Sequence, residues 1–430
     1  MAYLISGKEI LSPFVLTVAM YLLSTVTAAL YMKKWEFSLS YFTVLIIVTG
    51  VLIFGFGEMF AKSVCDHTGT VEIWKAKIVE EEKRIEIPFI VTVLVIFIML
   101  LFLSKTLHYI YMLSLQGGNT DGYKSMLSFA RKMTLVKGYS RSKALNHILV
   151  FTQALSFIYG WQFLNNFVNK RTKIIDMISL LPIGIAFIIQ AVGTVTRGFA
   201  ISWLVYFFML YVLLHAKKEK WKHISPLNII GLGIITLSLF LLVFVLLGMV
   251  ASRFNSKSII DTIAFYIGLS IPSFDEFLKN FNDNIQMVGN ETLYGIYAVL
   301  NRLGLCAADT SRHLEFVDFN GVSGNVYTSL RRYINDYGYV GMYIIQFYLG
   351  CFWGLLYYFM KKYSSILLII LFSILAHSLV MQGIDELFLS NYVSLGTLNL
   401  FIYMAISYIA LIKAPQYLKG RLVHESKKAP

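Results

Sequence analysis

Arg197 lies in the stretch AVGTVTRGFA (191–200), between two strongly apolar runs, IIDMISLLPIGIAFIIQ and ISWLVYFFMLYVLLHA. An arginine surrounded by lipid costs several kcal/mol, so this one must hold something that offsets the cost. Gly193 and Gly198 let a backbone or a ligand come close. An apolar helix starting just after Arg197 would present its unpaired amides and the positive end of its dipole. A guanidinium stays charged at any working pH and grips two phosphate oxygens at once. Phosphate is therefore one occupant. The other reading is an arginine that snorkels to the interface, or one paired inside a bundle.

A second group is GNVYTSLRRYINDYGYVG (324–341), with Asn325, Tyr327, Thr328, Arg331, Arg332 and Asp336. On a helix, adjacent Arg331 and Arg332 point about 100° apart. Arg332 and Asp336 stand at i and i+4, a spacing that allows an ion pair, and Thr328 shares their face. Tyrosines and arginines also anchor helices at membrane borders. The alternative is a polar face that grips a sugar or a diphosphate. A third group, LGLCAADTSRHLEFVDFNGVSGN (303–325), holds Asp309, Arg312, His313, Glu315 and Asp318. A carboxylate or histidine there could take a proton from a sugar hydroxyl. The spacing fits no metal motif, and neither a metal nor another cofactor is expected. His377, Gln382, Asp385 and Glu386 form a fourth group.

The elements that must position these residues follow from composition. The 430 residues are 57% hydrophobic and 14% charged, whereas a soluble domain is closer to a quarter charged. The apolar residues come in blocks of bilayer length. Spans are expected at roughly 10–32, 38–58, 87–112, 145–167, 174–192, 199–215, 226–250, 337–360, 364–382 and 392–412. Each must be helical, because a lone strand cannot satisfy its backbone in lipid. The expectation is an all-α polytopic membrane protein of about ten transmembrane helices. Residues 1–250 form seven spans, 251–336 a large external loop, and 337–430 three spans and a tail. In the loop, 270–281 and 290–305 read as short amphipathic helices. Segment 61–86 is mixed in sign and reads as a solvated helix with local ion pairs.

The net charge of +13 fits positive-inside topology rather than nucleic-acid binding. Segments 215–224, 360–365 and the tail are basic, while 383–391 has no Lys or Arg. That places both termini in the cytoplasm, with Arg197 and 251–336 outside. One loop argues against this. Segment 119–146 falls outside, yet carries Lys124, Arg131, Lys132, Lys137, Arg141 and Lys143. Either the number of spans before it differs from three, or those charges have a task there. No GxGxxG or GxxxxGK[ST] occurs, so any donor substrate is expected to be already in the membrane.

With these residues in view, the chain resembles the Wzy-type oligosaccharide repeat-unit polymerases, which make O-antigen, capsule and related polysaccharide. The resemblance covers nearly the whole length as topology. GTVTRG followed by a span is similar to the family's Gly/Ser-Arg-Gly turn, with Thr where the family has Ser. GNETLYGIYAVLNRLGL and GNVYTSLRRYINDYGYVGMYIIQFYLG are similar to its long external loop and the span that follows. The resemblance implies a glycosyltransferase of the bacterial inner membrane. It would join oligosaccharide units carried on undecaprenyl diphosphate, without a metal, on the membrane's outer face. A hydroxyl of the newest unit would attack the anomeric carbon of the growing chain, and undecaprenyl diphosphate would leave. Arg197, Arg331, Arg332 and Asp336 would carry the catalytic work. Asn325, Tyr327, Thr328, Arg312 and His313 would bind substrate. The spans would hold the polyprenyl tail among membrane lipid, and a partner protein would set chain length. An O-antigen ligase, or a flippase of the lipid-linked unit, is the alternative. A flippase favours charges deep in spans and pseudo-symmetric halves, and the sequence displays neither.

Overall fold

The computed structural model describes residues 2–67, 84–134, 136, 139, 141–196, 198–221, 231, 233, 238, 259–282, 287–308 and 314–418. In chain order the helices are α1 (Ala2–Ile5), α2 (Pro13–Trp35), α3 (Tyr41–His67), α4 (Phe89–Gln116), α5 (Met126–Thr134), α6 (Lys143–Val168), α7 (Leu180–Thr194) and α8 (Gly198–Lys218). There follow α9 (Ile259–Gly268), α10 (Ser270–Asn280), α11 (Tyr294–Arg302), α12 (Ser329–Tyr363), α13 (Ile366–Met381) and α14 (Leu395–Tyr408). The one sheet among the described residues is a hairpin, β1 (Val317–Phe319) with β2 (Val322–Gly324).

Seven of these helical segments are long and apolar enough to cross a membrane: Pro13–Trp35, Tyr41–Asp66, Phe89–Gln116, Ile174–Thr194, Gly198–Lys218, Ser329–Tyr363 and Leu395–Leu418. The chain is thus an all-α multi-pass membrane protein. Of the other expected spans, α6 is 26 residues long but too polar to count. Its Gln162, Asn165 and Asn166 are buried. Helix α13 is apolar but only 16 residues long. The expected span 226–250 lies almost wholly outside the described residues, as does 68–83 of the mixed-charge segment.

Residue contacts divide the chain into two units, Met1–Ile78 with Ser256–Leu395, and Val79–Asn255 with Gly396–Pro430. In the first unit α3 packs along α12. The helices approach through glycines, as is usual where lipid supplies no hydrophobic drive. A Cβ on Gly350 would sit 2.0 Å from the Phe54 carbonyl oxygen, and one on Gly57 would sit 2.2 Å from that of Phe347. Helix α2 begins with Pro13, and its free amides are met from α3. The buried Glu58 carboxylate accepts from the Phe14 N–H and the Ser12 hydroxyl, both at 2.6 Å. Helix α12 is broken at Gly338 (φ 67°, ψ −176°), a conformation that needs glycine. The expected span from 337 thus gains a preceding helical turn pair, 329–337, set at its own angle.

In the second unit α4, α6 and α7 pack together. Leu113, Met126, Ala130, Leu149, Ile189 and Val195 share a core there. Between α4 and α6 the described residues contain only the amphipathic nine-residue helix α5. No further span is found there among them.

Candidate functional site

The hairpin is the device that builds the site. Asn320 (φ 50°) and Gly321 (φ 75°) form its two-residue loop, and the Asp318 carboxylate accepts from the Gly321 N–H at 3.0 Å. The chain reverses, so Glu315 before β1 meets Tyr327 after β2. The Tyr327 hydroxyl donates to the Glu315 carbonyl at 3.1 Å. Thr328 then takes the N-cap position of α12 without capping it by its side chain. One turn later come Arg331 and Arg332.

Both arginines are buried, with side chains 5% and 4% exposed. Arg331 Nη1 donates to Glu291 Oε2. Arg331 Nη2 reaches both Glu315 oxygens, at 2.9 and 2.8 Å. Its guanidinium stacks 4.8 Å from the Phe277 ring centre and 5.4 Å from that of Tyr327. Its Nε is buried without a hydrogen-bond partner among the described residues. Arg332 diverges as the helix geometry requires. Its Nε donates to Asp385 at 3.2 Å, and its Nη1 lies 3.5 Å from Glu291.

The expected Arg332–Asp336 pair does not form. Asp336 is fully buried and turns instead to the segment before α11. Its Oδ2 accepts from the Thr292 N–H and hydroxyl, both at 2.7 Å, and from the Glu291 N–H at 3.1 Å. Backbone donors in a rigid segment satisfy a carboxylate better than a long side chain already committed elsewhere. Asp336 thereby fixes Glu291 against both arginines, and Asn335 Nδ2 adds a bond to Glu291 Oε1 at 3.0 Å.

The fourth sequence group joins here. Asp385 pairs with Arg332. Glu386 accepts from the Tyr333 hydroxyl at 3.1 Å and caps the turn at Leu389 and Ser390. His377 is buried elsewhere, with Nδ1 3.3 Å from the Tyr392 hydroxyl. Asn325 is half-buried just after β2. Asp309, Arg312 and His313 lie outside the described residues.

Two guanidiniums therefore stand among five carboxylates, those of Glu291, Glu315, Asp336, Asp385 and Glu386. Burial raises the Glu291 carboxyl above its usual range, against the pull of Arg331 and Arg332. Burial does the same to Glu386, against bonds from Leu389, Ser390 and Tyr333. Even with both protonated, the carboxylates outnumber the arginines. Beside the cluster opens a cavity of about 320 Å³, whose lining includes Phe277, Asn280, Glu315, Tyr327, Arg331 and Asn335. It is at the small end of ligand pockets. Aromatic faces, amides and carboxylates suit a sugar ring. The charge does not suit a diphosphate.

The second unit presents the opposite charge. Arg197 itself lies outside the described residues, but its flanks are placed. Helix α7 ends at Val195 in a left-handed conformation, and α8 begins at Gly198. From α5, Arg131 Nη1 donates to the Val195 carbonyl at 3.2 Å. Helix α5, within the basic segment 119–146, thus meets the end of α7. Arg141 stands near the Tyr109 and Tyr139 phenols, and burial lowers its affinity for protons.

Of the residues that matter here, Glu291 was missed as a site residue. In the sequence it shows only as the middle of Asn290-Glu291-Thr292, a weak glycosylation acceptor match. No group of three or more His, Cys, Asp or Glu among the described residues is placed to hold a metal ion. Set against family models, curated proteins and solved structures, the chain matches none.

Proposed function

We propose that this protein is a polysaccharide polymerase that joins lipid-linked oligosaccharide units on the outer face of the bacterial inner membrane. The observation that carries the reading is the sugar-sized cavity at Arg331. Helix α10, the hairpin and α12 line it, and Tyr327, Arg331 and Asn335 of that lining belong to the stretch on which the Wzy-type resemblance rests. The charges support a division of labour. The cavity, acidic and aromatic, takes the acceptor sugar. Tyr327 and Arg331 shape it, and Asp336 and Arg332 hold Glu291 and Asp385 in place. Arg197, with the basic segment 119–146, takes the undecaprenyl diphosphate. Charge grows on that diphosphate as it leaves, and a guanidinium there stabilises the transition state without a metal.

Purified protein incubated with a synthetic undecaprenyl-diphosphate-linked repeat unit should yield a ladder of products. Arg197→Lys keeps the charge but loses the two-pronged grip, and should remove the long products at normal membrane level. Full-length ladders from Arg197→Ala would refute the assignment. Transfer only to a lipid A core acceptor would favour a ligase. Transport of the unit across vesicles without linkage would favour a flippase.

A further inference from the structure

Resting on that reading, we infer that Glu315 is the general base that takes the proton from the acceptor sugar's hydroxyl. Elimination among the described carboxylates of the cluster and cavity leads there. Asp336 is fully buried and its Oδ2 alone accepts three hydrogen bonds. Glu386 caps a turn and holds Tyr333. Glu291 is held by Arg331, Arg332 and Asn335. Asp385 pairs with Arg332 and does not line the cavity. Glu276 also lines the cavity, but its oxygens face Asn280 at 2.9 Å and Lys279 at 3.8 Å, and no buried guanidinium fixes its direction.

Glu315 differs in three respects. Of the five carboxylates around the arginines it alone lines the cavity. Both its oxygens share a single nitrogen, Arg331 Nη2, so lone pairs on each stay open to a hydroxyl. Its side chain is half exposed while that of Arg331 is buried, which gives an accepted proton a way out to water. Arg331 fixes the carboxylate's direction and is a positioning residue. Its unpartnered buried Nε offers a donor to a ring or hydroxyl oxygen of the same sugar. In the step, the hydroxyl proton passes to Glu315 and the oxygen bonds to the anomeric carbon of the growing chain. The bond from that carbon to the phosphate oxygen breaks, and its electron pair leaves with undecaprenyl diphosphate.

The test uses the ladder assay with purified full-length protein over a range of pH. Glu315→Gln keeps the bond to Arg331 but cannot take a proton. It should lower turnover by roughly 10²–10⁴-fold and abolish the acid limb of the wild-type pH profile, with membrane level and melting midpoint retained. Glu315→Ala should regain turnover when formate is added, which a merely structural role would not produce. A Gln variant with near wild-type turnover and an unchanged pH profile, or an Ala variant deaf to formate, overturns the inference while the polymerase reading stands. A wild-type protein that builds no ladder overturns both.

Discussion

Asp336 carries the most structure for one side chain, and its removal can be worked through. The carboxylate is fully buried and joins α12 to the segment before α11. Asp336→Ala strips the acceptor from two backbone N–H groups, those of Glu291 and Thr292. Each buried donor left unpaired costs about 1–3 kcal/mol, or roughly 2–6 kcal/mol together. Asp336→Asn keeps an oxygen where Oδ2 sits, so the same bonds form to a neutral acceptor. The loss is then the difference between charge-assisted and neutral bonds, about 1–3 kcal/mol in all. The order of stability should be wild type, Asn, Ala. Melting followed by size-exclusion in detergent reads this as a midpoint lowered by several degrees for Ala and less for Asn. Because the backbone of Glu291 loses its anchor beside Arg331, Ala should also lose ladder synthesis below the melting range. An Ala variant that melts with the wild type, or above Asn, would refute the role given to Asp336.

Gly350→Leu should abolish the folded, monodisperse peak in detergent, since even a Cβ there would lie well inside the ordinary 3.5–4.0 Å contact distance from the Phe54 carbonyl oxygen. Gly184→Leu, where nothing lies within 4 Å, should retain that peak. Asp275 gives a pH dependence. Burial pushes its carboxyl up, but bonds from Lys279, Thr43 and Ser40 outweigh that and hold it below the usual range. A lowered folded-state value means the stabilisation is full above about pH 4 and is lost as pH falls through the lowered value. Asp275→Asn should therefore cost stability at neutral pH and flatten the acid arm of the melting profile. An acid arm unchanged in that variant would contradict the sign.

The class of fold was legible because lipid imposes it. Long apolar blocks must be helices, and α2, α3, α4, α7, α8 and α14 fall where those blocks stand. Helix α10 was legible too, from Phe274, Leu278 and an early Pro272. The hairpin was not read, although Asn320-Gly321 between Val317 and Val322 is a strong two-residue turn signal. It is short and sits in a polar loop, where period-two alternation has no room to show. The partners of Arg332 and Asp336 were missed for a related reason. Local spacing names i+4 neighbours, but these side chains are buried, and burial is decided by segments 45 and 53 residues away. The same holds for Glu291, whose meaning comes only from what the fold sets against it.

The proposed polymerase activity requires that the chain around position 197 and the acidic sugar cavity each face the outside of the membrane. Thr196→Cys and Ser323→Cys, both exposed, can be labelled with a membrane-impermeant maleimide in spheroplasts, in a background lacking the native cysteines. The account predicts that both react from outside, before the cells are opened. Labelling of one from outside and of the other only after lysis would contradict it.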